Sequence, residues 1–225
     1  MVKLFLSLFI LSTLSFANDT PIAPDLSKIG ETNLWKVLNG HARVANEDGR
    51  AVLYFDPIGG DKPGGSNIAL ALVQGVTFET GVIEVDFKGN SPPTASFLGI
   101  AFNVANNGAD ENHFEAIYFR PFNFKREGFT DHAVQYVAHP DHPWKELREN
   151  KPGVYEAKVA PAPDPSGWFH ARIEITRERV SVTVNDGAKP CLTVDRLSAP
   201  GSGTVGLWID SKPGAFSNLK ITPAE

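Results

Sequence analysis

The segment DHAVQYVAHPDHPW, Asp131 to Trp144, gathers three of the chain's six histidines with a glutamine, a tyrosine and a tryptophan. Imidazole titrates near neutral pH, so His132 and His139 are candidates for proton transfer. His139 and His142 stand in a His-x-x-His spacing beside Asp141, which could begin a metal site. Zinc needs three or four ligands in fixed geometry, and no glutamate lies between paired helical histidines here. A hydrogen-bonding or proton-transfer role is therefore favoured, and no metal ligands are predicted. Trp144 offers an indole face of the kind that stacks on a sugar ring; stapling the loop to the fold is the alternative. Pro140 and Pro143 stiffen the segment and restrict the residues before them.

A second group lies in HFEAIYFRP, residues 113–121. Strand alternation puts Phe114, Ala116, Tyr118 and Arg120 on one face and Glu115, Ile117 and Phe119 on the other. The large apolar pair points that second face inward and leaves Tyr118 and Arg120 outside. An arginine beside a tyrosine can bind sugar hydroxyls or a carboxylate, and a surface ion pair is the equal alternative. In AVQYVA, Gln135 alternates with Val134 and Tyr136, and its amide can both donate to and accept from a hydroxyl. The candidates for catalysis are thus His132, His139 and Glu115. Those for substrate binding are Tyr118, Arg120, Gln135, His142 and Trp144.

A third group, VIEVDFK, places Glu84, Asp86 and Lys88 on one strand face. It looks like a fragment of the Glu-x-Asp-x-x-Glu strand of jelly-roll glucanases. Retaining hydrolysis needs two carboxyl groups about 5–5.5 Å apart, but Lys88 or Gly89 stands where the closing glutamate belongs. A solvated strand face is the preferred reading.

The elements that must position these groups read as strands. Short runs rich in β-branched and aromatic residues recur at 51–56, 67–73, 80–89, 96–104, 114–120 and 133–138. Others follow at 168–176, 179–186, 191–195, 203–210 and 216–222, with Gly, Pro, Asn and Asp between them. VTVNDGAKPCLTV is a hairpin, its turn chemistry supplied by Asn185, Asp186 and Gly187. Helix is expected only near PDLSKIG and PWKELREN. The pattern predicts an all-β, two-sheet antiparallel β-sandwich or jelly roll. Three long loops, 57–67, 121–131 and 139–167, are candidates for a functional rim.

The first 17 residues read as a signal peptide: Lys3, an apolar run shorter than the ~18 residues of a membrane span, and small residues before Asn18. Cleavage after Ala17 would leave a domain at 18–225, secreted or periplasmic. Loss of Lys3 leaves 20 Lys+Arg against 26 Asp+Glu, with no basic cluster, which disfavours nucleic acid and anionic membranes. A small or neutral ligand fits better, and a monomer without membrane insertion is expected. The single cysteine, Cys191, allows no internal disulfide and reads as a small core residue.

The AIYFR strand, the VQYV strand after it, and the closing pattern VSVTVND…LTV…GTVGLWID…GAFSNLKI resemble the concanavalin A-like lectin/glucanase superfamily. Within it, the chain is most similar to the 3-keto-disaccharide hydrolase-like domain family of exported bacterial proteins, most strongly from about residue 80 onward. The resemblance implies a jelly roll of two curved sheets with a carbohydrate ligand on the concave face and no cofactor; structural calcium is not predicted. Arg120 and Tyr118 match the end of that family's Gly-Ile-Tyr-Leu-Arg-like strand, and Gln135 its Glu-Tyr-Gln-like glutamine. Ala133 stands where that pattern has glutamate, so the family's acid–base chemistry is not implied. Fold analogy alone does not transfer activity. Three functions compete: an enzyme cleaving glycosidic bonds as a hydrolase or lyase, a non-catalytic carbohydrate-binding module, and an adhesion scaffold. The discriminating quantity is whether a titratable group comes within reach of the Arg120/Gln135 face.

Overall fold

The computed structural model describes residues 20–58, 67–105, 113–199 and 201–224. The expected signal segment and most of the 57–67 loop lie outside the described residues. Fourteen strands form among the described residues: β1 (Trp35–Leu38), β2 (Gly40–Glu47), β3 (Arg50–Pro57), β4 (Ala69–Val73), β5 (Gly81–Lys88), β6 (Ser96–Val104) and β7 (Phe114–Phe119). They continue as β8 (Val134–His139), β9 (Glu156–Ala157), β10 (Trp168–Ile175), β11 (Arg179–Val184), β12 (Leu192–Asp195), β13 (Thr204–Ser211) and β14 (Gly214–Pro223). The one α-helix among the described residues, α1 (Trp144–Asn150), sits where PWKELREN predicts it. PDLSKIG gives a short 3-10 turn at Leu26–Lys28, capped by the Asp25 side chain. No described helix is long and apolar enough to cross a membrane.

All pairings are antiparallel, in two seven-stranded sheets. The first runs β1-β4-β13-β6-β7-β8-β9 and the second β12-β11-β10-β5-β14-β3-β2. Period-two patterning makes this a sandwich: Ile117 and Phe119 of β7 and Leu98 and Ile100 of β6 turn inward, fully buried. They meet the second sheet through contacts such as Phe87 to Phe119, ring centroids 5.3 Å apart. Phe87 also packs on Phe169 and Phe216, so one aromatic cluster joins three neighbouring strands of the second sheet to the first. The expected hairpin is β11–β12, with Asn185 in the left-handed region at φ 49°. Cys191 packs against the core, its Sγ donating to the Val182 carbonyl, and burial pushes its thiol up to about 11.

Three strands escape the sequence pattern: β1, β2 and β9. β9 is two residues long and lies inside the expected 139–167 loop. Glu84, Asp86 and Lys88 lie half-buried on the outward face of the second sheet, the two carboxylates paired with His170 and Arg50 and Lys88 over the Trp168 ring. That is the solvated strand face expected of VIEVDFK.

Candidate functional site

The register of the first sheet lines up one residue from each of five strands. Trp208 of β13 pairs with Gly99 of β6, Gly99 with Tyr118 of β7, Tyr118 with Gln135 of β8, and Gln135 with Glu156 of β9. Residues paired across antiparallel strands project to the same side, so this row faces outward, away from the second sheet. Gly99 has no side chain, and the Trp208 and Tyr118 rings stack across it at 4.8 Å. Phe97 packs edge-on against Tyr118 and Phe122, extending the aromatic floor.

Above this floor lies a groove of about 900 Å³. The 121–131 loop gives it Phe122, Asn123, Arg126 and Phe129, and the 139–167 loop gives it Trp144, Lys145 and Arg148. The two long loops whose length suggested function are its walls.

Tyr118, Arg120 and Gln135 are brought together as expected. One Arg120 terminal nitrogen donates to the Tyr118 hydroxyl at 2.7 Å and to Gln135 Oε1 at 2.5 Å, and Tyr118 donates to the same oxygen at 3.0 Å. The other terminal nitrogen of Arg120 donates to the His132 carbonyl at 3.0 Å, fixing the turn that carries that histidine. Burial pushes the Tyr118 hydroxyl up to about 12, so it stays protonated at neutral pH and keeps its proton on Gln135 Oε1.

His132 lines the groove with its Nδ1 2.8 Å from Glu156 Oε2. Arg148 grips the same carboxylate with two bonds, Nε to Oε1 at 3.0 Å and a terminal nitrogen to Oε2 at 2.6 Å. Arg120 lies 3.9 Å from it. Burial alone would raise the Glu156 carboxyl, but the bonds and charges of Arg148 and His132 outweigh it and hold it below the ordinary range. Glu156 is therefore a buried anion that ties a groove histidine to two arginines.

The other predicted residues separate. His139 lines the groove and stacks on Phe114 at 4.8 Å, and burial lowers its pKa. Trp144 lines it too and is 46% exposed. His142 does not line it; its Nδ1 lies 3.5 Å from Glu146 on α1. Glu115 does not line it either. It points inward, where Arg196 and Tyr136 bond its carboxylate and Asn103 donates to it at 3.2 Å. The alternation that aligned Glu115 with Ile117 and Phe119 already placed it on that side.

Sequence reasoning missed Glu156, Arg148, Trp208 and Asp210. Asp210 sits two residues beyond Trp208 on β13 and lines the groove, its carboxyl raised by burial. Trp208 was the findable one: it sits in the quoted GTVGLWID strand, two residues from a carboxylate. Glu156, between prolines in a loop, carried no such signal.

No protein-family model matches the sequence, and no curated protein matches it. Solved structures do. The carbohydrate-binding module CBM66 from Bacillus subtilis is 12% identical, with 84% of this chain and 97% of that one covered and a TM-score of 0.54. A native glycosidic hydrolase is 16% identical, with coverage of 92% and 97% and a TM-score of 0.55. A prokaryotic β-1,3-1,4-glucanase (lichenase) derived from a mouse hindgut metagenome is 15% identical, with coverage of 86% and 95% and a TM-score of 0.52. The fold is the concanavalin A-like jelly roll. At these identities the likeness is one of fold, and the chemistry rests on the groove itself.

Proposed function

We propose that the protein is an exported carbohydrate-active enzyme that binds a saccharide in this groove and cleaves a glycosidic bond there. The observation that carries the reading is the His132–Glu156 pair, joined through Arg120 to Tyr118 and Gln135 on one outward face. The imidazole stands with its Nδ1 2.8 Å from the Glu156 carboxylate, without an aligned hydrogen bond to it, and brings a group suited to proton exchange to the groove wall. Tyr118 is the second proton-bearing group of the same network, and Gln135 and Arg120 supply amide and guanidinium contacts to hydroxyls. Trp144 and the floor aromatics provide ring faces for stacking. Kinship with the 3-keto-disaccharide hydrolase-like family belongs to this proposal and rests on Tyr118, Arg120 and Gln135.

The proton chemistry falls to His132 for a reason of distance. Glycosidases that use two carboxyl groups hold them about 5–9.5 Å apart. Glu156 on β9 and Asp210 on β13 are four strands apart, about 19 Å between backbones at the usual strand spacing. That span leaves no room for the two to act on one bond.

A second reading, a non-catalytic carbohydrate-binding module, is favoured by one observation: Tyr118, Arg120 and Gln135 satisfy one another and form a rigid floor without a ligand. The name of the similar CBM66 structure points the same way. Incubating the purified protein with a panel of oligosaccharides and 3-keto-glycosides separates the two, with products followed by mass spectrometry. The enzyme reading expects cleavage that His132→Ala abolishes while binding survives. Binding without any product, in the wild type, supports the module instead.

A further inference from the structure

The groove differs in charge from the rest of the molecule. The whole chain carries a formal charge of −5. Yet the described residues lining the groove include Arg120, Arg126, Lys145 and Arg148 against a single carboxylate, Asp210. Two of these cations are already engaged: Arg120 with Tyr118 and Gln135, and Arg148 with Glu156. The other two are open. Arg126 lies over the Phe129 ring, 4.0 Å from its centroid, and makes no ion pair among the described residues. Among the described residues Lys145 pairs with Glu149 alone, at 3.9 Å, with both side chains more than half exposed, a contact of little energetic weight.

Aromatic faces accompany these charges. Phe129 and Trp144 are among the few large apolar side chains left exposed, at 43% and 46%, and both line the groove. Arg126 caps the first, and the Arg148 guanidinium stands 5.1 Å from the second. Each exposed ring therefore carries a guanidinium over one face and has its opposite face for stacking. A neutral sugar can accept hydrogen bonds from these cations but makes no use of their charge. A planar guanidinium matches a carboxylate in two parallel hydrogen bonds.

We propose that the saccharide taken by this groove is acidic, a chain whose rings carry carboxylates, with sugar faces on Trp144 and Phe129 and a carboxylate on Arg126 and Lys145. This names the ligand class of the site and rests on the reading of the groove as a saccharide site. The surplus of positive charge also draws such a chain toward the groove of an otherwise acidic protein.

Calorimetric titration with oligosaccharides of galacturonate and of mannuronate, their neutral glucan counterparts and a sulfated galactan tests this at low and at high salt. A uronate chain should bind at least about tenfold more tightly than the neutral chain of equal length, and the advantage should shrink as salt rises. Arg126→Gln should remove about tenfold of the uronate affinity without moving the melting temperature, because its side chain is exposed. Equal or tighter binding of neutral chains, or binding of the sulfated chain alone, overturns the carboxylate-bearing ligand. If Trp144→Ala still weakens that binding, the groove remains a saccharide site. Failure to bind any of these chains overturns both readings together.

Discussion

Trp208 and Tyr118 stack at 4.8 Å although their strands are not neighbours, because Gly99 on the strand between them has no side chain to part them. A Cβ at Gly99 would fall 2.0 Å from the Ile117 carbonyl oxygen and 2.6 Å from the Tyr118 Cα. Gly99→Ala should therefore displace β7 from β6 and cost about 1–3 kcal/mol of stability, readable by chemical denaturation. The stack should loosen with it, and ligand binding should fall further than the loss of stability explains.

Removing the Arg120 guanidinium leaves the Tyr118 hydroxyl, Gln135 Oε1 and the His132 carbonyl short of a donor in a buried place. Arg120→Ala should cost about 3–5 kcal/mol, the range for breaking a buried charged network. Arg120→Lys should recover part of that stability but less of the ligand affinity, since an ammonium cannot reproduce the fork. Denaturation and titration on the same preparations check both parts.

Glu115 provides a contrast. It is buried against Arg196 between the sheets and does not line the groove. Glu115→Ala should destabilise by about 3–5 kcal/mol, because Arg196 would keep its charge without a partner. Whatever protein stays folded at low temperature should retain the wild-type affinity for its ligand.

The second sheet carries a pH-dependent pair. His170 Nδ1 lies 2.8 Å from Asp86 Oδ1, and the hydrogen bond to Asp86 raises the His170 pKa above its ordinary value despite partial burial. Burial would raise the Asp86 carboxyl, but bonds from His170 and Asn218 and the charges of His170 and Arg50 together lower it. The His170 contribution is whole below the unfolded imidazole value of about 6.5 and is lost as pH rises through the higher folded value. The Asp86 contribution is present above the unfolded value of about 3.9 and is lost as pH falls through the lower folded value. The pair thus stabilises most between these limits. Melting temperature should therefore fall as pH rises above about 6.5 in the wild type, and His170→Asn should flatten that fall.

Trp144 is half exposed at the start of α1, so Trp144→Ala should leave the melting temperature nearly unchanged. Its loss should weaken saccharide binding by about tenfold, the scale of one aromatic contact. Thermal unfolding and titration together check this, and a large stability loss would mean the indole only fastens the loop.

How much of this could be read beforehand depends on how each residue is held. Tyr118, Arg120 and Gln135 follow strict alternation in strands with apolar partners, so their common face follows from period two alone. The β13 segment containing Trp208 is buried on both faces, and alternation there does not say which side a residue takes. Glu156 is harder still. Its strand has two residues, and its role comes from Arg148 on α1 and His132 on a turn, contacts of chain segments that no local pattern relates. The sandwich was visible because most strands obey local rules; the His132–Glu156 pair was hidden because it exists only after the loops fold back.

That folding back has a consequence for how the molecule behaves among its own copies. Without it, β8 would end the sheet with bare amides and carbonyls, a template for a strand from another chain. Instead Ala133 donates to the Ala157 carbonyl, Tyr136 to the Tyr155 carbonyl and Ala138 to the His142 carbonyl, while His142 donates back to Ala138. The segment that walls the groove is also the selvage of the sheet. Cutting the chain between His142 and Tyr155 would unseat more than the ligand: it would uncover a border able to knit one molecule to the next, and the first sign of damage there would be self-association.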